Sequence, residues 1–186
     1  MTTSHLENPD VIVVGAGNAA ACAALAAREA GANVIMLEAA PQAECGGNSR
    51  YTAGAMRFVF NGADDLAQAI TDLSDEERKN TDFGAYSEDQ FFDDMARVTQ
   101  YRADPDLLEL LVRRSFDTVK WMRAKGVRFQ ASYGRQAFKV DGRFKFWGGL
   151  ALEAWGGGPG LVEGEHQVAE RAGIPIFYDT PALCLL

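Results

Sequence analysis

The period of the apolar positions changes several times along this chain, and each change predicts an element. "DVIVV", residues 10–14, is a β-branched run with no polar alternation, the pattern of a central parallel strand buried on both faces. Residues 18–30 are mostly alanine and predict a helix whose small side chains let its axis approach a sheet. "ANVIML", 32–37, predicts a second buried strand ending at Glu38. Further along the period becomes helical. Ser74 with Glu77, and Ser87 with Gln90, each fit a capping box. Asp104-Pro105 is an N-cap and N1 pair, opening a helix predicted to run to about Lys125 with Gly126 just past its end. Leu107, Leu108, Leu111, Val112, Phe116, Val119 and Met122 recur there at helical spacing.

Strict alternation then appears in "FKVDGRFKF", 138–146, which predicts a hairpin turning at Asp141-Gly142. Phe138, Val140, Phe144 and Phe146 are expected on one face, and Lys139, Arg143 and Lys145 on the other. "WGGGPG" reads as a loop before a helix near 161–172, and "IPIFY", 174–178, as a third strand with Pro175 near its start, where a missing donor costs least. "PALCLL" is expected to be a further strand with an apolar edge, and residues 1–9 a loose tail.

Composition narrows the class. The chain has 186 residues, 47% apolar and 24% charged, which suits an ordinary folded domain. A net charge of −8 argues against nucleic acid or an anionic membrane as a partner, because the long-range field repels polyanions. Cys22, Cys45 and Cys184 have no metal-ligand spacing, so no metal site is expected and the thiols read as reduced, in a cytoplasmic protein. The apolar stretch 11–27 follows Glu7 and Asp10 instead of a basic segment and is interrupted by Gly-Ala-Gly-Asn, so no targeting or membrane segment is expected.

The strand–turn–helix at 10–30 carries specific chemistry. Gly15, Ala16, Gly17, Asn18, Ala19 and Ala20 form a dinucleotide fingerprint: Gly15 for the tight turn, Gly17 for approach of backbone to a pyrophosphate, and Ala20 for close helix–strand packing. The head of the helix supplies free amides and a partial positive charge. Glu38, with Ala39 beside it, closes the second strand, where a carboxylate can accept from ribose hydroxyls and repels a 2′-phosphate. The next stretch, "ECGGNSRYTAGAM", separates cofactors. Gly46, Gly47, Asn48, Ser49, Thr52, Ala53, Gly54 and Ala55 have the composition needed where a flat isoalloxazine lies on backbone. An oxidoreductase using NAD and a non-catalytic nucleotide-binding remnant remain open on the residues alone.

"DVIVVGAGNAA", "VIMLEAAP" and "GGNSRYTAGAMR" together resemble the start of the flavoprotein subunits of the fumarate reductase and succinate dehydrogenase superfamily. Within it, "YRADPDLLELLVRRS", "GRQAFKVDGRFKFWGGL" and "EAWGGGPGLV" are most similar to FAD-dependent tricarballylate dehydrogenases, and also resemble a cobalamin-pathway flavoprotein. The resemblance implies an FAD/NAD(P)-binding Rossmann-like three-layer α/β domain, incomplete here, with a helical insertion and a β-hairpin. It divides the chain into a βαβ unit 10–38, a flavin loop 44–57, a helical insertion 64–126, a hairpin 136–147, and a return helix and strand 160–186. A capping domain and the remainder of the FAD domain are expected beyond Leu186, with the proton-transferring arginine, so no catalytic residue is assigned within the chain.

The activity so implied is hydride transfer from a small carboxylic acid to flavin N5, taking tricarballylate to cis-aconitate, with electrons passing to a membrane-associated iron–sulfur partner. The 186 residues alone are then expected to bind FAD weakly and not to turn over. The backbone near Ala182 is implied to touch the adenine side. Asn48 stands where membrane-bound relatives carry a flavin-linking histidine, so FAD is expected without a covalent bond. Glu153 stands near the position of the family's substrate-binding histidine, which counts against a dicarboxylate unless the side chain is protonated or turned away. Arg135, Lys139, Arg143 and Lys145 read as a solvated cationic face, Tyr133, Trp147 and Trp155 as packing residues or cavity lining, and Arg50 and Arg57 as exposed side chains or phosphate contacts. His166 reads as a surface residue.

Overall fold

The computed structural model describes residues 8–184; Leu185, Leu186 and most of the expected tail lie outside the described residues. In chain order the elements are β1 (Val11–Val14), α1 (Asn18–Glu29), β2 (Val34–Leu37), the short α2 (Gly47–Arg50), β3 (Ala55–Met56), β4 (Phe60–Asn61), α3 (Ala63–Ala69), α4 (Asp75–Asn80), β5 (Thr81–Asp82) and β6 (Ala85–Tyr86). There follow α5 (Glu88–Val98), α6 (Pro105–Lys125), β7 (Phe129–Ala131), α7 (Tyr133–Gln136), β8 (Ala137–Val140), β9 (Arg143–Phe146), β10 (Leu152–Ala154), α8 (Gly157–Arg171) and β11 (Ile176–Phe177). The chain forms two units, one running up to Gly54 and resuming at Gly156, the other Ala55–Trp155.

The first unit is built on a parallel sheet of order β1-β2-β11, with Val11 opposite Val34 and Ile176 opposite Met36. α1 follows β1 and buries Ala21, Ala24 and Leu25. The expectation of a strand buried on both faces fails for β1. Among the described residues β1 pairs only with β2, and Ile12 and Val14 are 54% and 62% exposed. Pro175 sits just before β11, where its carbonyl accepts from the Met36 amide and its missing N–H costs no ladder bond.

In the second unit, sheets of order β3-β10-β7 and β5-β9-β8 and the pair β4-β6 are interleaved with helices. The insertion read as helical, 64–126, thus contains short strands at 81–82 and 85–86, and another at 60–61 precedes it. Both capping boxes form: Ser74 accepts from the Glu77 amide, and Ser87 from the Gln90 amide. Asp104 accepts from the Asp106 and Leu107 amides, and Gly126 ends α6 at φ +114°. Phe58 stacks on the half-buried Phe116 and meets Phe60 at a tilt; Phe58, Phe60, Leu66 and Val112 are all buried.

The hairpin turns at Asp141-Gly142, both at positive φ, but its faces differ from the alternation expected. A two-residue turn sets Val140 opposite Arg143 and Phe138 opposite Lys145, and opposed residues share a face. Phe138 and Val140 therefore accompany Arg143 and Lys145 and are exposed, whereas Lys139 lies over the Phe144 ring at 4.9 Å. The four cations do not form one face.

Two further departures concern glycines. The loop at 44–57 contains the helical turn α2, entered through Gly46 at φ +100°. α8 begins at Gly157, within the stretch read as a loop, because Gly156 at φ +80° is already its N-cap. Residues 181–184, expected to be a strand, carry none.

Candidate functional site

The first unit gathers the fingerprint and the glycine loop into one backbone cluster. Gly15, at φ +108°, turns the chain out of β1, and its amide donates to the Leu37 carbonyl at 2.7 Å. Ala20 lies 3.8 Å from where a Gly15 Cβ would stand, so the third small position is in contact with the turn. Ala16 is buried, Ala19 exposed on the first turn of α1. Gly17 is the N-cap of α1 and has no side chain of its own to cap the leading amides.

The reason for glycine at position 17 is visible in the fold. A Cβ there would lie 2.9 Å from the Gly46 carbonyl and 3.2 Å from Ser49 Oγ. The second loop itself is the close neighbour. The Asn18 amide donates to Ser49 Oγ at 3.1 Å, joining the heads of α1 and α2. Thr52 Oγ1 donates to the Ser49 carbonyl and accepts from the Gly54 amide, so Ser49 and Thr52 hold the loop's own shape. Gly47 and Asn48 are exposed at the head of α2, and Ala53 is half-buried. Ala55 opens β3 in the second unit, opposite Glu153.

Glu38 is buried at the end of β2, and its Oε1 accepts from the Ala40 amide at 2.9 Å, which fixes the carboxylate's direction. The chain leaving β11 runs alongside: Thr180 donates to the Glu38 carbonyl and Asp179 to the Ala40 carbonyl. Ala39 and Ala182 are exposed.

The element that the sequence undervalued is α8. The Gly158 amide donates to the Thr52 carbonyl at 3.0 Å, and a Cβ on Gly158 would lie 2.3 Å from the Ser49 carbonyl oxygen and under 3 Å from those of Thr52 and Arg50. A Cβ on Gly46 would strike both Val162 methyls at 2.7 Å. α8 and the glycine loop are thus in backbone contact. The "GGGPG" run was the available signal; it marked a close approach as well as a turn.

His166 is not a surface residue. It is half-buried, with Nε2 2.7 Å from the Ala16 carbonyl oxygen and Nδ1 3.7 Å from Cys45 Sγ and 3.4 Å from the Tyr178 hydroxyl. A cavity of about 610 Å³ adjoins it, lined in part by Cys45, Arg50, Val162 and Tyr178. Glu165 is 1% exposed on the inner face of α8. Its Oε1 lies 3.8 Å from Cys22 Sγ, which is 3.7 Å from Asn18 Oδ1, and its Oε2 has no partner. Burial pushes the carboxyl up to about 8, and burial with the nearby carboxylate pushes the Cys22 thiol up to about 12. The helical period already placed Glu165 on the stripe of Leu161, Val168 and Ala169, a polar residue on an apolar face.

In the second unit most other candidates have local partners. Arg57 pairs with Asp94 at 2.9 Å and donates to the Tyr86 hydroxyl. The Tyr133 hydroxyl meets Thr81 Oγ1 at 2.9 Å, its ring packed on Phe144 and Phe146. Arg128 covers the Trp155 ring at 3.9 Å, and Trp147 is exposed. Glu153 accepts from Gln130 Nε2 and Ser132 Oγ, one carboxylate oxygen each, both at 2.9 Å.

The first-unit cluster fits a dinucleotide: a helix head whose N-cap is a glycine, a carboxylate fixed at the end of the neighbouring strand, and two glycine turns packed closely together. Comparison with known proteins agrees. The FAD binding domain family matches residues 10–186. The fumarate reductase (cytochrome) of Shewanella frigidimarina is 37% identical over 117 residues, 63% of this chain and 18% of that protein. The vinyl phenol reductase of Lactiplantibacillus plantarum is 27% identical over 188 residues, covering 100% of this chain and 32% of that protein. Among solved structures, the open conformation of a flavocytochrome c3 fumarate reductase superposes with TM-score 0.64 at 26% identity, covering 92% of this chain and 26% of that one. A 3-ketosteroid Δ1-dehydrogenase from Sterolibacterium denitrificans shares the fold, with TM-score 0.65 at 15% identity over 96% of this chain and 41% of that one. The chain spans less than a third of the length of the two curated relatives. Among the described residues no helix is long and apolar enough to cross a membrane. Glycine turns packed together at the heads of α1 and α2, a family match over nearly every residue, and the likeness to flavoprotein structures converge: the chain belongs to the FAD binding domain family, within the fumarate reductase and succinate dehydrogenase flavoprotein superfamily, and its cofactor is FAD.

Proposed function

We propose that this chain is the cofactor-holding part of an FAD-dependent dehydrogenase that oxidises a C–C bond beside a carboxylate, with tricarballylate as substrate and cis-aconitate as product. The observation that carries the reading is the close approach of Gly17 to the Gly46 carbonyl, which packs the fingerprint turn against the glycine loop. When bound, FAD supplies the hydride acceptor. The chain's own residues bind and orient it: the head of α1 faces the pyrophosphate, Glu38 accepts from the ribose, and Gly46, Gly47, Asn48, Ser49, Thr52, Ala53 and Gly54 lie along the ring. Ala39 and Ala182 flank the adenine. Asn48 has no nucleophilic nitrogen to link the flavin, so binding is non-covalent.

The tricarboxylate rests on the "GRQAFKVDGRFKFWGGL" and "EAWGGGPGLV" stretches. A fumarate reductase-like substrate is the second reading. Glu153 favours it, because both its oxygens are taken by Gln130 and Ser132 and its charge is turned onto its own sheet. Electrons pass to a separate iron–sulfur partner at a membrane, and the three free thiols suit a cytoplasmic setting.

The test has two stages. FAD added to the purified chain gives a bound flavin spectrum and raises the melting midpoint, as a ligand of the folded state must; NAD gives neither. The whole protein with FAD then reduces an artificial acceptor on addition of tricarballylate. Reduction with succinate alone would replace the tricarboxylate by the second reading, and no flavin uptake would overturn both.

A further inference from the structure

The ring of His166 meets three segments of the first unit: the fingerprint turn at Ala16, the glycine loop at Cys45, and the exit of β11 at Tyr178. The contact with Ala16 fixes the tautomer. A carbonyl oxygen only accepts, so Nε2 carries the proton and Nδ1 is left as an acceptor. Its neighbours suit that role: burial pushes both the Cys45 thiol and the Tyr178 hydroxyl up and keeps them protonated, so either can donate to the single Nδ1 lone pair.

The consequence for the cofactor follows from peptide geometry. The Ala16 carbonyl belongs to the Ala16–Gly17 peptide, which is planar and trans. In such a unit the N–H points opposite to the C=O. Drawing the Ala16 oxygen toward α8 therefore turns the Gly17 amide away from α8. Gly17 can rotate easily about its own backbone, so without that anchor this peptide is free to tip and misdirect the amide.

We propose that His166 is a positioning residue for FAD: its Nε2–H, donated to the Ala16 carbonyl, sets the direction in which the Gly17 amide meets the pyrophosphate. The proposal rests on FAD binding at this site. It separates from a packing role through the choice of replacement. His166→Gln keeps a donor near the Nε2 position, His166→Asn offers a polar group only near Nδ1, and His166→Phe keeps the ring's bulk with no donor.

The experiment is an FAD titration of the chain, with the melting midpoint of each cofactor-free variant measured in parallel. His166→Phe and His166→Asn are expected to weaken FAD binding about tenfold, the scale of one hydrogen bond. His166→Gln is expected to restore it, with affinity following the donor and not the melting midpoint. Wild-type affinity in His166→Phe, or no recovery in His166→Gln when that variant is folded, would overturn the assignment. Nitrogen-15 spectra of the unmutated chain, with and without FAD, decide the matter should the variants not fold or the chain not retain FAD. A persistent Nε2–H tautomer supports the proposal and an Nδ1–H tautomer refutes it. Failure of the unmutated chain to take up any flavin counts against the cofactor reading, whereas the tautomer speaks to His166 alone.

Discussion

Glu165 offers the sharpest quantitative test of this fold. The residue is 1% exposed; among the described residues one carboxyl oxygen has no partner and the other meets the Cys22 thiol, so burial lifts the carboxyl from its ordinary 4.5 to about 8. The folded chain then holds a proton that the unfolded chain releases above pH 4.5. Wherever the folded state binds more protons, stability falls as pH rises. The stabilisation is complete below 4.5, is lost progressively as pH rises to about 8, and stays lost beyond. At about 1.4 kcal/mol per pH unit, the loss is about 3 kcal/mol by pH 7 and about 5 kcal/mol above pH 8. Glu165→Gln removes the titration and keeps the shape. Urea unfolding of both proteins from pH 4.5 to 8.5 should give curves that converge at the acid end and diverge upward in favour of the variant. Taking the difference cancels the other ionisable groups. Parallel curves, or a variant less stable at pH 8, would refute the claim that Glu165 is neutral in the fold.

Gly158→Ala places a methyl 2.3 Å from the Ser49 carbonyl oxygen, so the melting midpoint should fall by several degrees, the effect of roughly 1–3 kcal/mol of overpacking, with FAD affinity reduced as α2 shifts; an unchanged midpoint would contradict the close contact. Gly17→Ala forces a Cβ to 2.9 Å from the Gly46 carbonyl, and titration calorimetry should show FAD binding weakened at least about tenfold, by the loss of about one hydrogen bond's worth of alignment. Ser87→Ala removes the cap that accepts from the Gln90 amide in the second unit and should cost about 1 kcal/mol in urea unfolding.

Local chemistry was legible where one residue decides one angle or one bond. Asp104-Pro105, the two capping boxes, Gly126 and the Asp141-Gly142 turn all formed where their residue types require. The fingerprint was legible for the same reason. What failed depended on pairing between distant segments. Periodicity gave the hairpin its alternation, but only the turn length decides which residues share a face, and there the expectation was wrong. β1 read as buried because its side chains are apolar; whether a strand has two neighbours is a property of the sheet. His166 had no signal at all, since its contacts at Ala16, Cys45 and Tyr178 arise from the packing of α8. Glu165 had one that went unused: a carboxylate on an apolar stripe.

The one-sided pairing of β1 bears on how this polypeptide behaves in the test tube. Among the described residues its outer rim meets no other strand, and Ile12 and Val14 beside it are exposed. Molecules meeting rim to rim can zip together there, so concentrated stocks should scatter light and a lysine introduced at Ile12 should clear them.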